Sequence, residues 1–162
     1  MSRVISMNLK INFLADCQQH IPYLAELLYE QIGKHWAPNA SIARAKENLI
    51  KHANYNQLPL TLVAFINDKP VGMASLRVND GIQPDRAPWL GSLVVDPAFQ
   101  NQGIGRTMCD AIKQQASMLG YNTLYLLAFD QTIPNWYEKL GWESIGLDKL
   151  FNHPVTVMSI KL

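Results

Sequence analysis

Leu93-Val94-Val95-Asp96-Pro97-Ala98-Phe99-Gln100-Asn101-Gln102-Gly103-Ile104-Gly105-Arg106 is the stretch on which the reading of this chain turns. It opens with apolar residues that continue a run from Trp89, and Asp96-Pro97 breaks that run as strand ends commonly do. Beyond Gly103 the residues Ile104, Met108, Ala111, Ile112 and Leu119 recur at three-four spacing. The stretch therefore predicts a strand over 89–95, a loop, and a helix over 104–119 closed by Gly120.

A loop that enters a helix in this way collects free backbone N–H groups at the helix start. Gly103 and Gly105 remove the side chains that would hold an anion away from them, and the helix dipole adds roughly 0.3–1 kcal/mol per charge contact. Such a place suits phosphate groups. Two common phosphate motifs fail on these residues. A Walker A loop needs Gly-Lys and then Ser or Thr, but Arg106 follows Gly105 and Gln100 stands five before it. A dinucleotide fingerprint needs a small residue where Met108 stands, and an earlier place in its unit.

Outward from the loop, residues 123–129 are nearly all apolar, which predicts a strand covered on both faces and parallel to 89–95 through a right-handed crossover. A short helix over 135–140 follows, begun around Thr132 and Pro134 and stopped by Gly141, then strands near 142–146 and 155–160. Upstream, 7–13 alternates as a strand does, and 18–35 carries Ile21, Leu24, Leu27, Leu28 and Ile32 at helical spacing. Asn39 or Ser41 caps a second helix, and strands over 60–66 and 71–78 flank the turn Asn67-Asp68-Lys69-Pro70. The loop 79–88 is of the kind that carries specificity.

The chain has 162 residues, 48% of them hydrophobic and 17% charged, which predicts one α/β domain over 1–162. Fourteen Lys and Arg against thirteen Asp and Glu leave no field for a polyanion, so nucleic acid is not expected as a partner. No window has signal-peptide or membrane-span character, which predicts a cytoplasmic protein with no membrane partner. Cys17 and Cys109 are far apart and the four His are scattered, so no metal is expected and both thiols are read as reduced, in or near the core.

The loop resembles motif A of the GNAT superfamily of N-acetyltransferases, in which Gln or Arg, two residues, Gly, one residue, and Gly or Ala wrap the pyrophosphate of coenzyme A. Gln100, Gly103 and Gly105 match those positions. Asn135-Trp136-Tyr137-Glu138-Lys139-Leu140-Gly141-Trp142 is similar to a second segment of the family, an aromatic residue, Tyr, three residues, Gly and an aromatic residue. The order of elements agrees over almost the whole chain. The resemblance implies a GNAT-like fold, a mixed sheet of about seven strands flanked by about four helices.

It also implies acetyl-CoA as acyl donor, bound along Leu93, Val94, Val95, Gln100, Asn101, Gln102, Gly103, Ile104, Gly105 and Arg106. In the family, pantetheine pairs with the strand before the loop, where a bulge frees N–H groups toward the thioester carbonyl. Tyr137 would then stand near the sulfur and donate a proton as the thiolate leaves. Asn101 and Gln102 depart from the Gly and basic residue of many relatives, and Arg106 could replace the lost charge. The acceptor implied is a small-molecule or peptide amine, attacked directly, since neither cysteine falls in a matched motif. A homodimer is compatible with this reading, and a non-catalytic CoA-binding sensor module is its alternative. For the base that must free the amine, Asp80, Asp85, Asp130 and His35 stand at element ends, while Trp36 and Trp89 are read as core or rim rather than acceptor pocket.

Overall fold

The computed structural model describes residues 8–162, so Met7, the first residue of the expected opening strand, lies outside them. Strands β1 (Leu9–Phe13), β2 (Leu60–Ile66), β3 (Lys69–Arg77), β4 (Trp89–Val95), β5 (Thr123–Ala128), β6 (Glu143–Leu150) and β7 (His153–Lys161) form one sheet in the order β1-β2-β3-β4-β5-β7-β6. All neighbours are antiparallel except β4 and β5, which are parallel as expected. Helices α1 (Ile21–Leu28), α2 (Lys34–Trp36), α3 (Ile42–Lys51), α4 (Ile104–Met118) and α5 (Ile133–Lys139) surround it.

Period-two alternation divides the core. Leu60, Leu62, Ala64 and Ile66 of β2 pack with Ile104, Met108 and Ile112 of α4, while Val63 and Phe65 join Leu24 of α1 and Leu49 of α3 on the other face. Each such side chain, fully buried, contributes roughly 1.5–3 kcal/mol. Between the layers, buried Thr61 and Ser75 pair across the strands at 2.7 Å and satisfy each other's hydroxyls. Ser41 is the cap of α3, accepting from the Arg44 N–H at 3.1 Å. Both cysteines are buried and free, and burial pushes the Cys17 thiol up to about 11 and the Cys109 thiol up to about 12.

Three expectations are adjusted by this packing. The single helix over 18–35 is a 3₁₀ turn, α1, a π-helical turn over Tyr29–Gly33 and then α2. The wider π turn rotates the faces beyond it, and Trp36 reaches a cleft rather than the core. Strand β5 is not covered on both faces: Leu124, Leu126 and Ala128 are buried, but the residues between them are only half-buried. Tyr125 and Leu127 of its other face pack only partly, beside Trp89, Val155 and Val157, and Leu127 also lines the cleft that opens where β4 and β5 diverge after a single registered pair, Trp89 with Tyr125. Finally, β6 and β7 are longer than 142–146 and 155–160, joined by Phe151-Asn152 with φ 52 and 63 in the left-handed region. Edge strand β6 is exposed along most of its length, and even its apolar Ile145 and Leu147 face solvent, so no buried-face alternation marks its extent.

Candidate active site

The divergence of β4 and β5 opens a cleft of about 780 Å³. Its β4 wall contains a bulge: Met73 pairs with Val94 but Ser75 pairs with Gly91, so β4 carries one extra residue. Ser92 sits there with φ 51. The extra residue switches the faces of the strand, which places Leu90 in the α4 layer and Val94 in the α1 and α3 layer although both numbers are even. At this crossing the strands approach so closely that a Cβ on Gly72 would lie 2.8 Å from the Val94 carbonyl oxygen.

Leu93, Val94, Val95 and Gln100 all line the cleft. Asp96 anchors the turn that follows. Its Oδ1 accepts the Ala98 N–H at 2.9 Å and its Oδ2 accepts the Tyr23 hydroxyl at 2.7 Å, tying the loop to α1. The Tyr23 hydroxyl holds the Asp96 carboxyl below its ordinary range. Gln100 turns its amide back onto the strand, donating to the Val95 carbonyl at 3.0 Å and to Gln31 Oε1 at 3.4 Å. Asn101 and Gly103 take left-handed φ of 62 and 90, and Gly103 is the N-cap of α4. Gln102 is half-buried, Arg106 is exposed on the first turn, and Ile104 is buried in the core, so only its backbone is available to a ligand.

The second predicted segment meets the first. A Cβ on Gly105 would touch the Trp136 indole at 3.5 Å, so α5 lies against the start of α4. Tyr137, on the next position of α5, is 8% exposed and lines the cleft opposite β4. Its ring packs edge-on between Trp136 and Trp142, at 4.8 and 5.6 Å between centroids. Burial raises the phenol well above the ordinary tyrosine range, so it carries its proton throughout the physiological range.

Of the residues considered as bases, only Asp80 reaches the cleft. Asp85 is exposed outside it, and Asp130 is exposed and accepts the Thr132 N–H and hydroxyl, both at 2.8 Å. His35 is exposed beside the Glu30 carbonyl at 3.2 Å. Asp80 itself is engaged, accepting from Arg77 Nη1 at 2.6 Å.

Sequence reasoning missed the group around it. Arg77 also donates through Nε to His52 Nε2 at 3.2 Å and through Nη2 to Ser92 Oγ at the bulge. Its guanidinium lies over Gly91, where a Cβ would stand 2.7 Å from Nη1. His52 places Nδ1 against the Asn48 carbonyl, and burial followed by the Arg77 charge pushes its pKa down to about 4. The imidazole is therefore neutral, with its second nitrogen accepting. Trp36, read as core or rim, stacks on Phe129 at 5.0 Å and 8° and walls the same cleft. Trp89, in contrast, is fully buried, with Nε1 donating to the Arg86 carbonyl at 2.7 Å.

A mixed sheet opened between its parallel strands, bulged at the opening and followed by a glycine-capped helix, defines an N-acyltransferase architecture. The chain belongs to the acetyltransferase (GNAT) family, whose model matches residues 22–142. It is an acetyltransferase. No curated protein matches the chain. Among solved structures it is similar to an aminoglycoside 6'-N-acetyltransferase complexed with coenzyme A, with TM-score 0.70 and 18% identity over 94% of this chain and 96% of that one. It is also similar to the ribosomal-protein-S18-alanine N-acetyltransferase from Escherichia coli, with TM-score 0.70, 16% identity and coverage of 95% and 94%. An acetyltransferase from Streptococcus agalactiae matches with TM-score 0.71, 18% identity and coverage of 95% and 98%. At these identities the likeness is one of fold. Among the described residues, no group of three or more His, Cys, Asp or Glu could hold a metal ion, and no helix is long and apolar enough to cross a membrane.

Proposed function

We propose that the chain transfers an acetyl group from acetyl-CoA to a primary amine of a small molecule or peptide, with the donor laid along β4 and its pyrophosphate at the start of α4. The observation that carries this reading is the bulge at Ser92, which interrupts β4 pairing where the cleft begins. The fit is supported by three further features. The cleft has a volume within the range of small-molecule sites, roughly 300–1,000 Å³. Gly103 presents a left-handed cap with no side chain, and the space beside Gly105 is bounded by an indole rather than a charge.

When bound, acetyl-CoA supplies an activated thioester. The residues do the rest. Backbone N–H groups of 101–106 and the α4 dipole bind phosphate, with Arg106 as the nearby cation. Leu93, Val94 and Val95 offer an unpaired strand edge to an extended pantetheine. Tyr137 holds a proton at the far wall and donates a hydrogen bond toward the departing sulfur. The family assignment favours this over a non-catalytic sensor.

The test is release of free thiol from acetyl-CoA in the presence of an amine panel, with Tyr137→Phe alongside. A signal that depends on both amine and enzyme supports the reading. Amine-independent or absent release, with acetyl-CoA bound, returns the chain to a binding role.

A further inference from the structure

The cleft continues past Arg77 and Ser92 into a second chamber of about 390 Å³, formed by α1, the π turn, the loop 37–41 and α3. Arg77, Ser92, Asn48 and Phe151 border both spaces, so the chambers meet at the bulge. Their charges are unequal. Asp80 is the one acidic side chain among the described residues lining either space, and it is consumed by Arg77. Arg44 lines the second chamber, is exposed, and has no ion pair with any described residue. A polycationic amino sugar or polyamine would find an uncompensated guanidinium and no free carboxylate there.

The same inventory bears on proton removal. Asp80 Oδ1 is ion-paired with Arg77 and the Nε2 of neutral His52 accepts from the same guanidinium, so the imidazole has no open lone pair and the carboxylate's charge is already balanced. An acceptor that is already partly neutral has no need of them. The α-amine of a peptide, with pKa about 7.7–8.0, is roughly a quarter unprotonated at pH 7.4, against roughly a thousandth for a lysine-like amine.

Resting on the acetyl-CoA reading above, we propose that the acceptor is the α-amine of a short peptide-like molecule bearing a carboxylate, with the amine at the Ser92 junction and the carboxylate at Arg44. In the transfer the amine nitrogen bonds to the acetyl carbon as the carbon–sulfur bond breaks. The electron pair leaves on sulfur, and the proton shed by nitrogen balances the thiol formed. Trp36 and Phe129 give the apolar remainder of the acceptor a flat wall.

The experiment compares kcat/KM for dipeptides with a free C-terminal carboxylate, the same dipeptides amidated, Nα-blocked lysine, spermidine and an aminoglycoside, with acetyl-CoA binding measured separately by calorimetry. The free acid should exceed the amide by about tenfold, chiefly through KM, as loss of one charge-assisted contact does. Arg44→Gln should bring that ratio close to one, and Arg44→Lys should restore part of it. Faster turnover of spermidine, the aminoglycoside or blocked lysine overturns the inference, as does an acid-to-amide ratio that Arg44→Gln leaves untouched. Bound acetyl-CoA with no dipeptide turnover also overturns it. Failure of acetyl-CoA to bind instead overturns the reading beneath it.

Discussion

Tyr137 and His52 are both titratable groups held away from water, and they make opposite predictions. Replacing Tyr137 by Phe keeps the packing with Trp136 and Trp142 but removes the hydroxyl, so kcat should fall by about 100-fold with little change in KM for acetyl-CoA, read by steady-state kinetics. His52 is a matter of stability. Its folded pKa of about 4 lies below the unfolded value of about 6.5, so between them the unfolded chain binds a proton that the folded chain does not. Stability from this residue is complete above pH 6.5 and is lost as pH falls toward 4, by up to about 1.4 kcal/mol per pH unit. His52→Gln should flatten that part of the profile, measured by urea unfolding at pH 7, 6 and 5. Only part of this was legible in the sequence. Gln100, Gly103 and Gly105 lie within a few residues of a helix start and so leave a local signature. His52 at the end of α3, Arg77 and Asp80 at or just past the end of β3, and Ser92 on β4 come from three regions of the chain and meet only in the folded structure, so as isolated polar residues they gave no pattern.

At the scale of elements, the bulged strand β4 and the glycine-capped helix α4 are the parts that make the site. The residues 89–95 are apolar almost throughout, so a switch of faces inside the strand leaves no break in the pattern, and the bulge could be inferred only from kinship. Strand β5 misled for the same reason: an apolar run reads as two-sided burial whether its second face meets protein or lines a cleft. The crossing at Gly72 gives a direct test. Gly72→Ala sets a methyl 2.8 Å from the Val94 carbonyl oxygen, a backbone atom that can move only by shifting β4. It should cost about 1–3 kcal/mol in denaturant unfolding and raise KM for acetyl-CoA through the displaced strand. Gly103→Ala, at φ 90, should cost about 1–2 kcal/mol in the same measurement because a Cβ crowds the left-handed conformation.

For the whole molecule, the fold follows from one decision, the divergence of two parallel strands within an otherwise antiparallel sheet. That divergence makes the cleft, the bulge marks where it begins, and α5 closes it by resting Trp136 on Gly105. The order of elements was readable because α4 shows apolar residues at three-four spacing and β2 is a short, nearly continuous apolar run. The second chamber was not, since it is assembled from the end of α1, the π turn, the loop 37–41, α3, β3, β4 and the β6–β7 turn. The central claim is that this cleft binds the acyl donor, and thermal unfolding with acetyl-CoA, desulfo-CoA and ATP tests it most directly. Acetyl-CoA and desulfo-CoA at a hundredfold over Kd should each stabilise the chain by about 2.7 kcal/mol, with ATP giving far less. No stabilisation by either CoA species at millimolar concentration, or equal stabilisation by ATP, would contradict the account and leave residues 100–105 as a turn that merely leads into a helix.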